Sequence, residues 1–400
     1  MREIETPNID DGNSTPGIAG PATVSAGSAR RRLQRLFAMI GATVVVVVVL
    51  LGLLEAGTRL VVGAPTVTEK IVVDNAAYAY HPWSGHRATP GFSYKYMSIN
   101  SRGWRGPERS EAKPPGVRRL LLLGDSVAFS SYHIRESATI AGYLERFLRE
   151  KTGGSWEVIN MACAGGTSHL SLAVLAHEGI HLAPDVVVAL NGNNDISLLD
   201  PTRPAGPRFS PVYWPLIQLK MDRLYDPRTG RGHVGDNLAM LLAESPFFRR
   251  FAETRPRHVP SSWPDRITKI ERVDDFVRNT VALHFLSNGT RAKFVHFLQP
   301  YLSLEHNTIG PNEEKAIRGQ EAVAGKGLYR FLDIAFPVLS ERVRATARTH
   351  GLRAVDLAHF FTEENVFGDR VHFIERDADE SVFNRRLALR MTEDIAAELK

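Results

Sequence analysis

Four short clusters in this chain carry residue types that could do chemistry together. They are Gly124-Asp125-Ser126, then Gly165, then Gly192-Asn193-Asn194-Asp195, and last Asp369-Arg370-Val371-His372. They offer a hydroxyl, a backbone N–H that glycine can turn toward a ligand, a neutral amide donor, and an imidazole three residues from a carboxylate. An acyl-transfer site needs that set: a nucleophile, donors for an oxyanion, a general base and a group to orient the base. Each cluster alone has a plainer explanation. A Gly-Asp-Ser suits a turn or a cap, Asn191-Gly192-Asn193-Asn194 is good turn material, and Asp-x-x-His is common. Their order, and the coarse structure around each, carries the reading.

The elements that must position these groups follow from periodicity. Residues 120–123 form a continuous apolar run, as expected of a strand covered on both faces. A helix should follow, capped by Ser137, with apolar spacing through Ile140, Leu144 and Leu148 and a stop at Gly153-Gly154. A second strand is expected at Val158-Ile159, a second helix over 168–182, and a third strand over 186–190. Further along, helices are expected near 268–286, 327–349 and 380–398, with strands over 294–298 and 354–357. Strands alternating with helices predict a parallel α/β sheet, whose ligands sit at the carboxyl ends of the strands. Ser126, Gly165 and Asn194 each follow one of the first three strands, and His372 precedes the last helix.

Composition sets the limits. Four hundred residues, 43% of them hydrophobic, can bury one large domain with appendages. A formal charge of +5, from 49 basic and 44 acidic residues spread along the chain, gives no nucleic-acid footprint. The single cysteine, Cys163, excludes an intramolecular disulfide framework and a multi-cysteine metal site. Residues 36–54 are uncharged and strongly apolar, and as a helix would span about 29 Å, close to the hydrocarbon thickness of a bilayer. Arg30, Arg31, Arg32 and Arg35 precede this run, which predicts a single-pass signal anchor with a cytoplasmic N-terminus and an extracytoplasmic catalytic body. Residues 1–35 then form a polar cytoplasmic tail, too poor in large apolar residues to order itself. Residues 55–115 form a connector whose aromatics should pack on the catalytic body. Residues 116–400 form the catalytic domain, with a Pro-, Arg- and aromatic-rich insertion at about 200–265 read as lying over the site.

The four clusters, with residues about 117–400 around them, resemble the SGNH, or GDSL, hydrolase superfamily, whose blocks carry Ser, Gly, Asn and His in that order. Residues 160–167 match the second block, with Ala162 where glycine or serine is usual. Residues 99–106 also resemble a segment upstream of this domain in membrane-anchored bacterial members. The resemblance implies a three-layer α/β/α sandwich around a parallel, roughly five-stranded sheet, preceded by one transmembrane helix. It also implies a triad of Ser126, His372 and Asp369, and an oxyanion hole made of the Ser126 N–H, the Gly165 N–H and the Asn194 amide. The expected activity is a serine esterase acting on acetyl or short-chain O-acyl esters of envelope carbohydrate, with no cofactor and no metal. Transfer of the acyl group to a glycan hydroxyl is the alternative.

Other chemistries fit the sequence less well. His177-Glu178-Gly179-Ile180-His181 matches the zincin pattern, whose two histidines would share a helix face. Gly179 weakens that helix, and Pro184 ends the segment away from the strand ends. A metallophosphoesterase would need more Asp and His ligands at the early strand ends. A non-catalytic glycan-binding module on the same fold would not require a candidate for every catalytic role. The sequence names no protein partner.

Overall fold

A computed structural model describes residues 26–62, 77–197 and 271–400. The chain divides into two compact units. In the first, a helix α1 (Ala26–Val62) extends beyond the 36–54 apolar run at both ends. Its stretch Leu33–Leu53 has a mean hydropathy of 2.9 and is long and apolar enough to cross a membrane. Immediately before that stretch stand Ala29 and Arg30 to Arg32, good helix formers that carry the helix past the apolar limit.

The second unit begins with two small hairpins, β1 (Tyr78–His81) with β2 (Gly85–Ala88), and β3 (Ser93–Tyr94) with β4 (Met97–Ser98). The regular αβ alternation follows: β5 (Val117–Gly124), a one-turn α2 (Ser126–Phe129), α3 (Ile140–Thr152), β6 (Ser155–Asn160), α4 (Ser168–His177), β7 (Val186–Asn191) and α5 (Asn193–Ser197). After it come α6 (Glu271–Gly289), β8 (Lys293–Leu298), α7 (Pro311–Ala324), α8 (Leu328–His350), β9 (Arg353–Asp356) and α9 (Val382–Glu398). The insertion expected at 200–265 lies outside the described residues.

Five strands form one parallel sheet in the order β6-β5-β7-β8-β9. Leu120 to Leu123 of β5 and Val186 to Leu190 of β7 are fully buried. That is the continuous apolar signature of strands with helices on both sides. Helices α3 and α9 pack together on one face, and α4, α6 and α8 on the other, which gives the α/β/α sandwich. Because the chain leaves β5 outward to β6 and then returns to β7, the winding reverses between β5 and β7. A crevice opens at the carboxyl ends of strands flanking such a reversal.

Two helix boundaries differ from expectation. The cap of α3 is Thr139, whose Oγ1 accepts from the Gly142 N–H at 3.1 Å, while Ser137 lies inside a 3-10 turn, Glu136–Ala138, that delays the helix. The expected helix over 168–182 ends at His177, and Gly179–Leu182 tightens to a 3-10 turn. Helix α7 has no counterpart in the sequence reading. It is polar, with exposed acidic and basic residues and an internal Gly319, so apolar periodicity did not reveal it.

Ahead of the sheet, one arginine reaches the loop after α2. Arg105, 3% exposed, donates to the carbonyls of Phe129 at 3.0 Å, Ser130 at 2.6 Å, Ser131 at 2.9 Å and Ile134 at 3.0 Å, and pairs with Glu136 at 3.1 Å. It thereby closes the loop that follows α2. Its own backbone N–H donates to Asn160 O at 3.2 Å, at the end of β6.

Candidate active site

The first block turns tightly because it must. At Gly124 (φ +154°) a Cβ would fall 2.2 Å from Leu190 O of the neighbouring strand β7, so only glycine lets β5 end there. Asp125 is fully buried and caps α2, its Oδ1 accepting from the Val127 N–H at 2.9 Å. Burial pushes this carboxyl up to about 6, against the pull of that N–H and the charge of His372. Ser126, the first residue of α2, is half-buried at the carboxyl edge of the sheet.

His372 comes from the loop between β9 and α9, 246 residues further on. Its Nε2 lies 2.6 Å from Ser126 Oγ. Its Nδ1 lies 2.7 Å from Asp369 Oδ2, while Asp369 Oδ1 accepts from the backbone N–H groups of Val371 and His372, each at 2.9 Å. The loop is pinned by its apolar residues: Phe367 and Val371 are buried, and Phe373 packs with Phe361, Phe367 and Phe383 at ring separations of 5.2, 5.7 and 5.8 Å. Backbone bonds from Gly368 N to His372 O and from Leu302 N to Arg370 O, each 2.8 Å, fix its register. The imidazole itself stays 46% exposed, open to a substrate.

The charges of the pair support each other. Desolvation would raise Asp369, but the charge of His372 and the hydrogen bonds it receives outweigh that and hold it well below the usual carboxylate range. Desolvation would lower His372, and the Asp369 charge and hydrogen bond outweigh it, so the imidazole is more basic than usual.

The second and third blocks lock onto each other and onto the first. Asn194, 4% exposed, donates from Nδ2 to Gly166 O at 2.9 Å. Asp195 accepts from the Ser168 N–H at 3.0 Å and from its hydroxyl at 2.5 Å, and burial pushes its carboxyl up to about 7 against these donors. A Cβ on Gly166 would stand 3.1 Å from Gly124 O and 3.7 Å from Asp125 Cα, so the second block lies directly against the first. Gly165 sits beside it at φ +71°. Asn160 ties the end of β6 to α2, donating to Ala128 O at 3.0 Å.

Ser126, His372 and Asp369 thus form one hydrogen-bonded chain, and Asn194 meets the loop that carries Gly165. Sequence reasoning missed the supports: Arg105, Ser168 and His86, the last with Nε2 3.0 Å from Ala164 O. The segment 99–106, which contains Arg105, was the one stretch upstream of the sheet that the sequence marked, and it assigned that arginine no contact. The zincin-like stretch is used otherwise. Glu178 Oε1 meets His81 Nε2 at 3.2 Å, its Oε2 lies 3.7 Å from Arg87, and Trp83 stacks on His177 at 4.3 Å, so the first hairpin is fastened to the end of α4. On the other side, the His372 loop borders a cavity of about 430 Å³ lined by Asn312, Lys315, Gln320, Gly368 and Ile374. Gln320 accepts from Arg370 Nη1 at 2.8 Å there.

No protein-family model matches the chain, and no curated protein matches its sequence. Solved structures do. An acetylxylan esterase from Geobacillus stearothermophilus is 15% identical, with 70% of this chain and 94% of that one covered and a TM-score of 0.35. The acetyl xylan esterase AlAXEase is 13% identical, covering 69% and 99%, with a TM-score of 0.37. A lipase/acylhydrolase from Enterococcus faecalis is 16% identical, covering 70% and 96%, with a TM-score of 0.38. The chain is therefore similar, at low identity, to solved esterases and an acylhydrolase.

Proposed function

We propose that this protein is a serine ester hydrolase of SGNH type, with Ser126 as nucleophile, His372 as general base and Asp369 as the group that orients it. The observation that carries the reading is the unbroken chain Ser126 Oγ, His372 Nε2, His372 Nδ1, Asp369 Oδ2, at 2.6 and 2.7 Å. In the proposed reaction His372 Nε2 takes the hydroxyl proton as Oγ attacks the ester carbonyl. The negative oxygen is received by the Ser126 N–H, the Gly165 N–H and the Asn194 amide, neutral donors that need no reorganisation. Collapse expels the alcohol, which takes the proton back from His372. Water, deprotonated by the same imidazole, then releases the acid and restores Ser126.

The alcohol half of the substrate is proposed to be carbohydrate. The amides of Asn312 and Gln320 and the Lys315 ammonium line a cavity beside the His372 loop, and they suit a leaving group rich in hydroxyls. The acyl half is proposed to be acetyl or another short chain. Helix α1 is proposed to anchor the protein in the cytoplasmic membrane, the arginines before Leu33–Leu53 keeping its N-terminus inside and the enzyme outside.

The test uses the full chain in detergent with short p-nitrophenyl esters and acetylated oligosaccharides. Wild type should hydrolyse them and take a fluorophosphonate label, and Ser126→Ala should lose both while keeping its fold. Turnover unchanged in Ser126→Ala would dispose of the nucleophile assignment.

A further inference from the structure

The loop that carries Gly165 is a tight turn whose central peptide can face either way. Gly166 N donates to Cys163 O at 2.9 Å, closing a four-residue turn over Cys163, Ala164, Gly165 and Gly166. Its third residue, Gly165, has φ +71°, whereas Ala164 is not among the residues of positive φ. That combination is a type II turn, and a type I turn differs from it by a flip of the peptide between the second and third residues. Here that peptide is Ala164–Gly165. The flip exchanges the directions of the Ala164 C=O and the Gly165 N–H, while the rest of the loop can stay in place.

The groups at the two ends of the loop are committed. Cys163 N donates to Gly124 O at 3.2 Å, and Gly166 O accepts from the Asn194 amide at 2.9 Å. Among the described residues, no hydrogen bond engages the Gly165 N–H. Its direction is therefore set by whatever holds the other end of its peptide plane. That partner is His86 of β2, 1% exposed, with Nε2 3.0 Å from Ala164 O. A carbonyl oxygen only accepts, so Nε2 carries the proton and the tautomer is fixed. Burial also keeps this imidazole less basic than usual, although the Ala164 bond opposes the shift, so it donates as a neutral ring. The peptide is trans, and in a trans amide the C=O and N–H point in opposite directions. Holding the Ala164 carbonyl toward β2 turns the Gly165 N–H away from it.

We propose that His86 is a positioning residue for the oxyanion hole: by binding the Ala164 carbonyl it selects the turn in which the Gly165 N–H faces the reacting ester. This rests on the serine-hydrolase reading and deepens it. It also gives the first hairpin, which lies ahead of the sheet, a part in the chemistry. That hairpin is held in turn by the Glu178 contacts to His81 and Arg87.

The experiment compares full-chain wild type, His86→Phe and His86→Gln on a p-nitrophenyl ester and on the matching thionoester, with Ser126→Ala alongside. Removing one oxyanion donor costs about 10²–10³ in turnover, so His86→Phe should lower kcat by about 10²-fold with KM nearly unchanged. His86→Gln carries an N–H near the position of Nε2 and should recover most of that loss. Sulfur accepts hydrogen bonds poorly, so the preference for the ester over the thionoester should fall in His86→Phe and return in His86→Gln. A merely structural residue would not move that ratio. If His86→Phe does not fold, as judged by its thermal midpoint, His86→Asn, whose amide falls short of Ala164, replaces it with the same expectations. Full kcat in the loss variant with Ser126→Ala inactive would overturn the role of His86 alone, as would a lowered kcat with an unchanged ester-to-thionoester ratio. Activity surviving in Ser126→Ala would overturn both the role and the reading beneath it.

Discussion

Replacing Asp369 with asparagine tests the relay at the point where its geometry is most restrictive. Asp369 Oδ1 accepts two backbone N–H groups, those of Val371 and His372, and Oδ2 faces His372 Nδ1. In Asp369→Asn only the carbonyl oxygen can take the two N–H bonds, so the amide nitrogen must occupy the Oδ2 position. It then donates to Nδ1 and forces the imidazole proton onto Nε2, the atom that must accept from Ser126. The ring stays in place in the wrong tautomer. Loss of the correct tautomer in a triad of this kind costs about 10⁴ in kcat, and we expect about 10³–10⁴ here, or about 4–5.5 kcal/mol of transition-state stabilisation. Both backbone bonds survive, so the melting temperature should shift by about 5 °C or less. Steady-state hydrolysis of a p-nitrophenyl ester, paired with a thermal melt, reads both quantities. A folded Asp369→Asn protein with kcat within about fivefold of wild type would refute the tautomer argument.

Two further outcomes follow from the same geometry. His372 must be neutral to accept the proton, and Asp369 makes it more basic than usual. Hydrolysis should therefore fall as pH drops through a midpoint above the ordinary histidine value of about 6.5, and in Asp369→Asn that midpoint should move down, since the carboxylate charge that raised it is gone; a wild-type limb below that value would count against His372 as the base. Arg105→Met leaves the carbonyls around Ser130 without their donor and the Glu136 carboxylate without its cation, and should destabilise the fold by about 3–5 kcal/mol in urea unfolding. A loss under about 1 kcal/mol would mean that water replaces it freely.

Much of the scaffold was legible because its strands are buried on both faces. Leu120 to Leu123 and Val186 to Leu190 read as apolar runs in the sequence and are fully buried in the sheet. The structure extends four of the five expected strands by a residue or more, as where Arg118 and Arg119 still pair with a neighbour, and shifts the last, expected over 354–357, to Arg353–Asp356. Supports made by side-chain hydrogen bonds to distant backbone carbonyls were not legible. His86 reaches Ala164 across 78 positions and Arg105 reaches Ser130 across 25, and neither leaves a periodic trace. Thr139 displaced Ser137 as a cap because a preceding 3-10 turn shifted the helix start, a choice that backbone geometry makes locally and composition does not record.

By itself the sequence determined which chemical groups stand at which strand ends. Strand and helix periodicity, the sharp turn permitted by Gly124 and the order of the four blocks are properties of neighbours along the chain. Only the tertiary structure decided that His372 crosses 246 residues to meet Ser126, because that meeting depends on the aromatic packing of Phe361, Phe367 and Phe373, which seats the last loop against the sheet edge. It alone decided, too, which way the Ala164–Gly165 peptide faces. A peptide flip changes no residue and little local energy, so its direction is set by a hydrogen bond from a distant part of the chain.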